Sequence, residues 1–195
     1  MLKEQKKGRL EVITGPMFAG KTEELIRRAR RFYYANKKFL IFKPVLDDRY
    51  SDEYIVSHNA KKEKSININT SLEIERYITD DVYAIIVDEA QFFDEKLPEV
   101  LNNLADRGFL CIAAGLDKDF RGEPFGVMPT LLALAERVTK LTAICVVSGL
   151  DATRTQRLIN GKPAFYEDPI ILIGASESYE PRARQYHEVP RKTVN

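Results

Sequence analysis

Apolar residues along the first two thirds of the chain fall into two alternating textures. GRLEVIT (8–14), KKFLIFK (37–43), VYAIIVDEA (82–90) and FLCIAAG (109–115) are short, mostly continuous apolar runs, with the length and composition of buried strands. Between them the spacing changes to that of a helix. Leu25, Ile26, Ala29, Phe32 and Tyr33 recur at i, i+1, i+4, i+7 and i+8, which marks one helical face. SLEIERYI (71–78) predicts a short helix capped by Ser71, KLPEVLNNLADRG (96–108) a helix ending at Gly108, and MPTLLALAERV (128–138) another helix. Alternating strands and helices predict an α/β fold with a doubly wound, mostly parallel sheet.

The texture shifts near residue 140. From Leu141 to Asn195 the strand-like pieces are short, RTQRLIN (154–160) and PIILIG (169–174), with turn signals at Asn160-Gly161 and Asp168-Pro169. No amphipathic helix is visible there. The expected organisation is therefore an α/β domain over 1–140 and a small second domain over 141–195.

Composition narrows the class. With 44% hydrophobic and 30% charged residues, the chain is an ordinary globular protein able to bury a core. Thirty basic residues nearly cancel 29 acidic ones, so no global field points to nucleic acid or to an anionic membrane. The opening MLKEQKKGR has no apolar core of a signal peptide, and no run reaches the roughly 18–20 apolar residues of a membrane span. A cytoplasmic location is expected. Two cysteines cannot build a disulfide framework, and Cys111, inside FLCIAAG, reads as a small buried hydrophobe.

The strongest chemical signal is GPMFAGKT (15–22), which follows a predicted strand and opens a predicted helix. Gly15 and Gly20 let backbone N–H groups turn toward an anion, and the helix N-terminus adds its dipole. Lys21 would neutralise β/γ-phosphate charge and the Thr22 hydroxyl would ligate Mg²⁺. Gly15, Pro16, Met17, Phe18, Ala19, Gly20, Lys21 and Thr22 thus form the expected ATP/phosphate-binding loop, a P-loop. In AIIVDEAQFF (84–93) a buried strand releases Asp88 and Glu89 at its carboxyl end, where open α/β sheets bind ligands. Asp88 suits the metal-holding carboxylate and Glu89 a general base. Gln91 is counted with the ATP-binding set.

A nucleoside triphosphate and Mg²⁺ follow; the phosphoryl acceptor stays open on these residues alone. A helicase-like ATPase would use Glu89 on water, and a small kinase would use it on a substrate hydroxyl. A single P-loop and the lack of a basic stripe favour the kinase. The loops LDDRYSDEY (46–54) and GLDKDFRGEPFG (115–126), rich in Asp, Arg and aromatics, could wall a planar substrate.

GPMFAGKTEELIRRARRF, FKPVLDDRY, VDEAQFFD, AAGLDKDFRGEPFG, KLTAIC and ILIGASESYEPR resemble consecutive segments of the thymidine kinases, the cytosolic homotetrameric type II enzymes. The resemblance runs in order from about Leu10 to Pro190. It implies transfer of the γ-phosphoryl of ATP to the 5′-hydroxyl of thymidine or deoxyuridine, in a homotetramer with no nucleic-acid or membrane partner. It also implies a P-loop domain followed by a small domain whose lasso loop closes over the nucleoside. Glu89 would be the base, with Asp47 and Arg49 near the transferred phosphoryl. Phe92, Leu116, Phe120 and Phe125 would form the base pocket, and Leu172, Gly174 and Tyr179 the lasso contacts. The family's small domain is commonly held by structural zinc on four ligands. Here the corresponding positions are Cys145, Ser148, Ala183 and Tyr186, with His187 adjacent, so zinc is expected to be absent. Val146, Val147 and Tyr186 are the expected filling for the space the metal would leave.

Overall fold

The computed structural model describes residues 8–45, 54–56, 62–171 and 177–192. Its centre is a six-stranded sheet. In chain order the strands are β1 (Arg9–Thr14), β2 (Lys38–Pro44), β5 (Ile66–Ile68), β6 (Val82–Val87), β7 (Leu110–Gly115) and β8 (Arg137–Lys140); Tyr54–Val56 (β3) and Lys62–Lys64 (β4) form a separate antiparallel pair. The spatial order is β5-β2-β6-β7-β1-β8, and every neighbouring pair is parallel. The expected α/β class with a mostly parallel sheet is the observed one.

Strand periodicity divides the core into two layers. Leu10, Val12, Phe42, Ile85, Val87, Cys111 and Ala113 face one side, against α2 (Leu97–Asp106) and α3 (Met128–Leu134). Ile13, Ile41, Ala84, Ile86, Leu110, Ile112 and Ala114 face the other, against α1 (Lys21–Tyr34). Because β1, β2, β6 and β7 are covered on both faces, their sequences read as continuous apolar runs rather than alternations. Glu11 is an exception in β1, buried but held by Arg28 Nη1 at 2.5 Å and Arg9 Nε at 2.6 Å. Cys111 is the buried small hydrophobe expected, and burial pushes its thiol up to about 12.

Several local expectations are corrected. On α1, Leu25, Ile26 and Ala29 are buried and Phe32 packs on Phe39 and Tyr83, but Tyr33 is 71% exposed. Periodicity fixes the side of a helix, not how far along it a covering surface extends. Residues 71–77 form a 3₁₀ helix capped by Thr70, whose N–H donates to Glu73 Oε1 at 3.0 Å. Ser71 instead bonds Asp94 through its N–H and hydroxyl, both at 2.7 Å. The helix predicted over 128–138 ends at Leu134, and Arg137–Lys140 leaves as the edge strand β8 beside β1.

Beyond residue 140 the described elements are short. β9 (Ala143–Ile144) pairs with β10 (Asp151–Ala152), and β11 (Arg154–Ile159) lies between β12 (Lys162–Pro163) and β13 (Glu177–Arg182). The β11–β12 hairpin turns at Asn160 and Gly161, whose φ values of 52° and 75° suit an Asn-Gly pair. In the predicted strand 169–174, Ile170 and Ile171 are not in a strand; Leu172 and Gly174 lie outside the described residues. Among the described residues, no helix is long and apolar enough to cross a membrane.

Candidate active site

The loop after β1 is shaped by close backbone approach. A Cβ on Gly15 would stand 2.4 Å from the Leu141 carbonyl oxygen, so a side chain there would have to displace backbone. Phe18 and Gly20 take left-handed φ values of 65° and 82°. Gly20 precedes α1 and no side chain caps the helix, which leaves first-turn N–H groups for an anion. Lys21 Nζ arches back to donate to the Pro16 carbonyl at 2.7 Å. Burial holds its ammonium below the usual pKa, against the opposing pull of Glu89, Asp88 and Asp117.

At the carboxyl end of β6 the chain bends sharply. Asp88 N–H continues the ladder to the Phe42 carbonyl at 2.9 Å, and Glu89 then takes φ 53°, a conformation costly for a non-glycine residue. That bend turns Glu89 into the cavity while Asp88 stays buried beneath it, with Glu89 N–H donating to Asp88 Oδ1 at 3.0 Å. Burial first, then the adjacent Glu89 charge, push Asp88 up to about 7, opposed by Lys43 and Lys21. Gln91 Nε2 donates to Glu89 Oε2 at 2.6 Å and its Oε1 accepts from Leu116 N–H at 3.0 Å. Two glycines make room for this side chain and its backbone: a Cβ on Gly115 would fall 2.6 Å from Gln91 Oε1, and one on Gly126 2.3 Å from the Gln91 carbonyl oxygen.

These groups open into one cavity of about 770 Å³. Of the expected site residues, its wall includes Met17, Phe18, Gly20, Lys21, Thr22, Glu89, Gln91, Phe92, Leu116, Phe120, Phe125 and Tyr179. Gly15, Pro16, Ala19 and Asp88 are not part of that wall, but Pro16, Ala19 and Asp88 directly adjoin residues that are. Asp47, Arg49, Leu172 and Gly174 lie outside the described residues. The aromatic side is ordered by an edge-to-face pair, Phe92 and Phe125, with ring centroids 5.4 Å apart. The loop carrying Phe120 is folded on Asp119, whose Oδ1 accepts from Arg121 N–H at 2.9 Å and Glu123 N–H at 3.0 Å.

Lys43, Lys118, Thr155 and Glu177 also line the cavity, and none was singled out from the sequence. Lys43 had a usable signal, since it lies one residue before the carboxyl end of a parallel strand, on the ligand-binding edge of the sheet. Thr155 and Glu177 had none; they reach the wall through the pairing of β11 with β13.

The thymidine kinase family model matches residues 8–187. The chain belongs to the thymidine kinase family. Membership makes it a kinase in which ATP phosphorylates a nucleoside. The cavity brings the glycine-containing loop after β1 together with an aromatic wall.

Two metals implied by this family fare differently. Thr22 and a buried carboxylate, Asp88, beside Glu89 suit a hard cation: oxygen donors crowded in low dielectric gain from a divalent charge. The zinc positions do not fit. They supply one thiol (Cys145), one hydroxyl (Ser148), a methyl (Ala183) and a phenol (Tyr186), where a closed structural site takes four ligands. Among the described residues no group of three or more His, Cys, Asp or Glu is arranged to hold a metal. His187 is engaged elsewhere, its Nε2 2.8 Å from the Phe120 carbonyl oxygen.

The expected filling of that region is also corrected. Val146 and Val147 are 59% and 53% exposed and Tyr186 is 37% exposed. The small core is made by Ala143, Cys145, Ala152 and Ala183, with Ala19 packed against it. A tight turn with Cys145 N–H on Leu150 O and Gly149 N–H on Cys145 O, both 2.8 Å, points the valines outward.

Proposed function

We propose that this thymidine kinase family member transfers the γ-phosphoryl of ATP to the 5′-hydroxyl of thymidine, or of deoxyuridine, giving the 5′-monophosphate. The carrying observation is the single cavity in which Lys21, Glu89 and the Phe92–Phe125 pair meet. A phosphate anchor, a carboxylate and an apolar platform for a planar base are the three parts such a transfer requires.

In this reading the uncapped N-terminus of α1 and the loop N–H groups bind the triphosphate. Lys21 neutralises charge on its β/γ-phosphates, while Thr22 and Asp88 would hold Mg²⁺. The bound cation would offset charge growing on the phosphoryl oxygens. Glu89, turned inward by its backbone and gripped by Gln91, accepts the proton of the 5′-hydroxyl as the hydroxyl oxygen attacks the γ-phosphorus and the bond from that phosphorus to the bridging oxygen breaks, releasing ADP. Gln91 is then a positioning residue for the base rather than a phosphate ligand. Phe92, Leu116, Phe120, Phe125 and Tyr179 receive the nucleobase by dispersion and shape. Asp47, Arg49, Leu172 and Gly174 keep the roles the family resemblance implies. Structural zinc has no part in this reading, because Cys145 is the one strong donor among the four positions that would hold it. The test is a phosphotransfer assay with ATP and Mg²⁺ against the natural nucleosides, in which thymidine and deoxyuridine should lead.

A further inference from the structure

Arg157 lies in the middle of β11 with its side chain fully enclosed, at 0% exposure. It is not itself in the cavity wall, yet its guanidinium meets three parts of that wall or its supports. Nη1 donates to the Pro169 carbonyl at 2.5 Å, just before Ile170 and Ile171, which line the cavity. Nε is 2.9 Å from Oε2 of Glu177, another lining residue. Cζ sits 5.1 Å from the ring centroid of Phe120. Tyr179, also lining, is its register partner across β11 and β13. Arg121 extends the pattern by donating from Nη2 to the Asp168 carbonyl at 2.9 Å, so two arginines grip successive carbonyls.

This is an expensive arrangement for stability alone. Nε and Nη2 of Arg157 and Oε2 of Glu177 have no well-aligned hydrogen bond among the described residues. A buried ion pair with unmade hydrogen bonds gains little over an apolar filling of the same volume. Its contacts, however, converge on lining residues and on the chain leading into them: Phe120, Glu177 and the segment at Pro169. A planar, five-donor fork can span a carbonyl, a carboxylate and a ring at once, which a flexible ammonium cannot.

We propose that Arg157 is a positioning residue for the acceptor nucleoside. It fixes Phe120, Glu177 and the chain at Pro169 as one preformed wall, so that the base docks without ordering that wall itself. The inference rests on the nucleoside kinase reading above. It predicts a loss confined to acceptor binding, because the ATP loop and Glu89 make none of these contacts.

The test is steady-state kinetics with thymidine and MgATP varied independently, on wild type, Arg157→Met and Arg157→Lys, alongside melting temperatures. Arg157→Met should raise the KM for thymidine by about tenfold or more, with kcat and the KM for MgATP within about threefold of wild type. Arg157→Lys keeps a cation beside Glu177 but cannot reach all three contacts, and should raise the thymidine KM by about threefold. A folded Arg157→Met with an unmoved thymidine KM, or with both KM values rising together, would overturn the proposal. Should Arg157→Met not fold, Arg157→Lys decides by the same split. Wild type that turns over no nucleoside would remove the underlying reading; wild-type turnover with unmoved KM values in the variants would remove this inference alone.

Discussion

Gln91 holds Glu89 through a 2.6 Å hydrogen bond from Nε2, and the same amide is pinned at its other end by the Leu116 N–H at 3.0 Å. The candidate base is thereby tied to the start of the loop that carries Phe120 and Phe125. A side chain that orients a base contributes by keeping it within reach of the hydroxyl, not by touching the phosphate. Gln91→Leu should therefore lower kcat by about tenfold while leaving the KM for ATP within a few-fold. An ATP KM that rises with kcat unchanged would return Gln91 to the phosphate-binding set.

Glu89 and Lys21 should separate chemistry from binding. Glu89→Gln keeps the shape of the side chain and removes its proton acceptor, so kcat should fall by about 10² or more with ATP and thymidine affinities nearly intact. Lys21→Ala should impair both kcat and ATP binding, since in the proposed reading it removes a charge that faces the triphosphate in ground and transition states alike. Near wild-type turnover in Glu89→Gln would mean that another group takes the proton.

Much of this was legible in the sequence, and the failures share a cause. Strands β1, β2, β6 and β7 are buried on both faces, so their apolar runs had to read as strands, and the glycines at 15 and 20 declared the loop, Gly15 through its close approach to the Leu141 carbonyl and Gly20 through its left-handed φ. β8 was hidden because Arg137–Lys140 is an edge strand, mostly exposed, and carries no continuous apolar run. Val146 and Val147 misled because hydrophobicity says that burial is available, whereas the direction of a tight turn decides who receives it. Arg157 was invisible because its partners, Phe120, Pro169 and Glu177, are brought together only by the pairing of β11 and β13 and the loop over them.

Metal content checks the small region. Protein purified without a metal-affinity tag should carry under about 0.1 zinc per chain by elemental analysis, because one thiol and no second strong donor cannot form a closed site. Chelator treatment followed by restored Mg²⁺ should leave both turnover and melting temperature where they were. Close to one zinc per chain would contradict this reading.

The pH dependence of stability should report Cys145. Burial raises its thiol, but hydrogen bonds from the Ser148 side chain and from the N–H groups of Ala183, Val147 and Ser148 outweigh this and bring it from 9.0 to about 7. Between those values the unfolded chain holds a proton that the folded chain has released, so stability rises with pH across the window. The contribution is complete above pH 9 and lost as pH falls through 7. Wild type should gain melting temperature relative to Cys145→Ala from pH 7 to 9; parallel profiles would show that the thiolate is not held.

The central claim is the identity of the phosphoryl acceptor, and tracing the γ-phosphoryl addresses it directly. Pure protein given γ-labelled ATP, Mg²⁺ and thymidine should place the label on thymidine monophosphate, with little free phosphate and no response to added DNA or RNA. Label appearing instead as free phosphate, independent of nucleoside and stimulated by nucleic acid, would contradict the account.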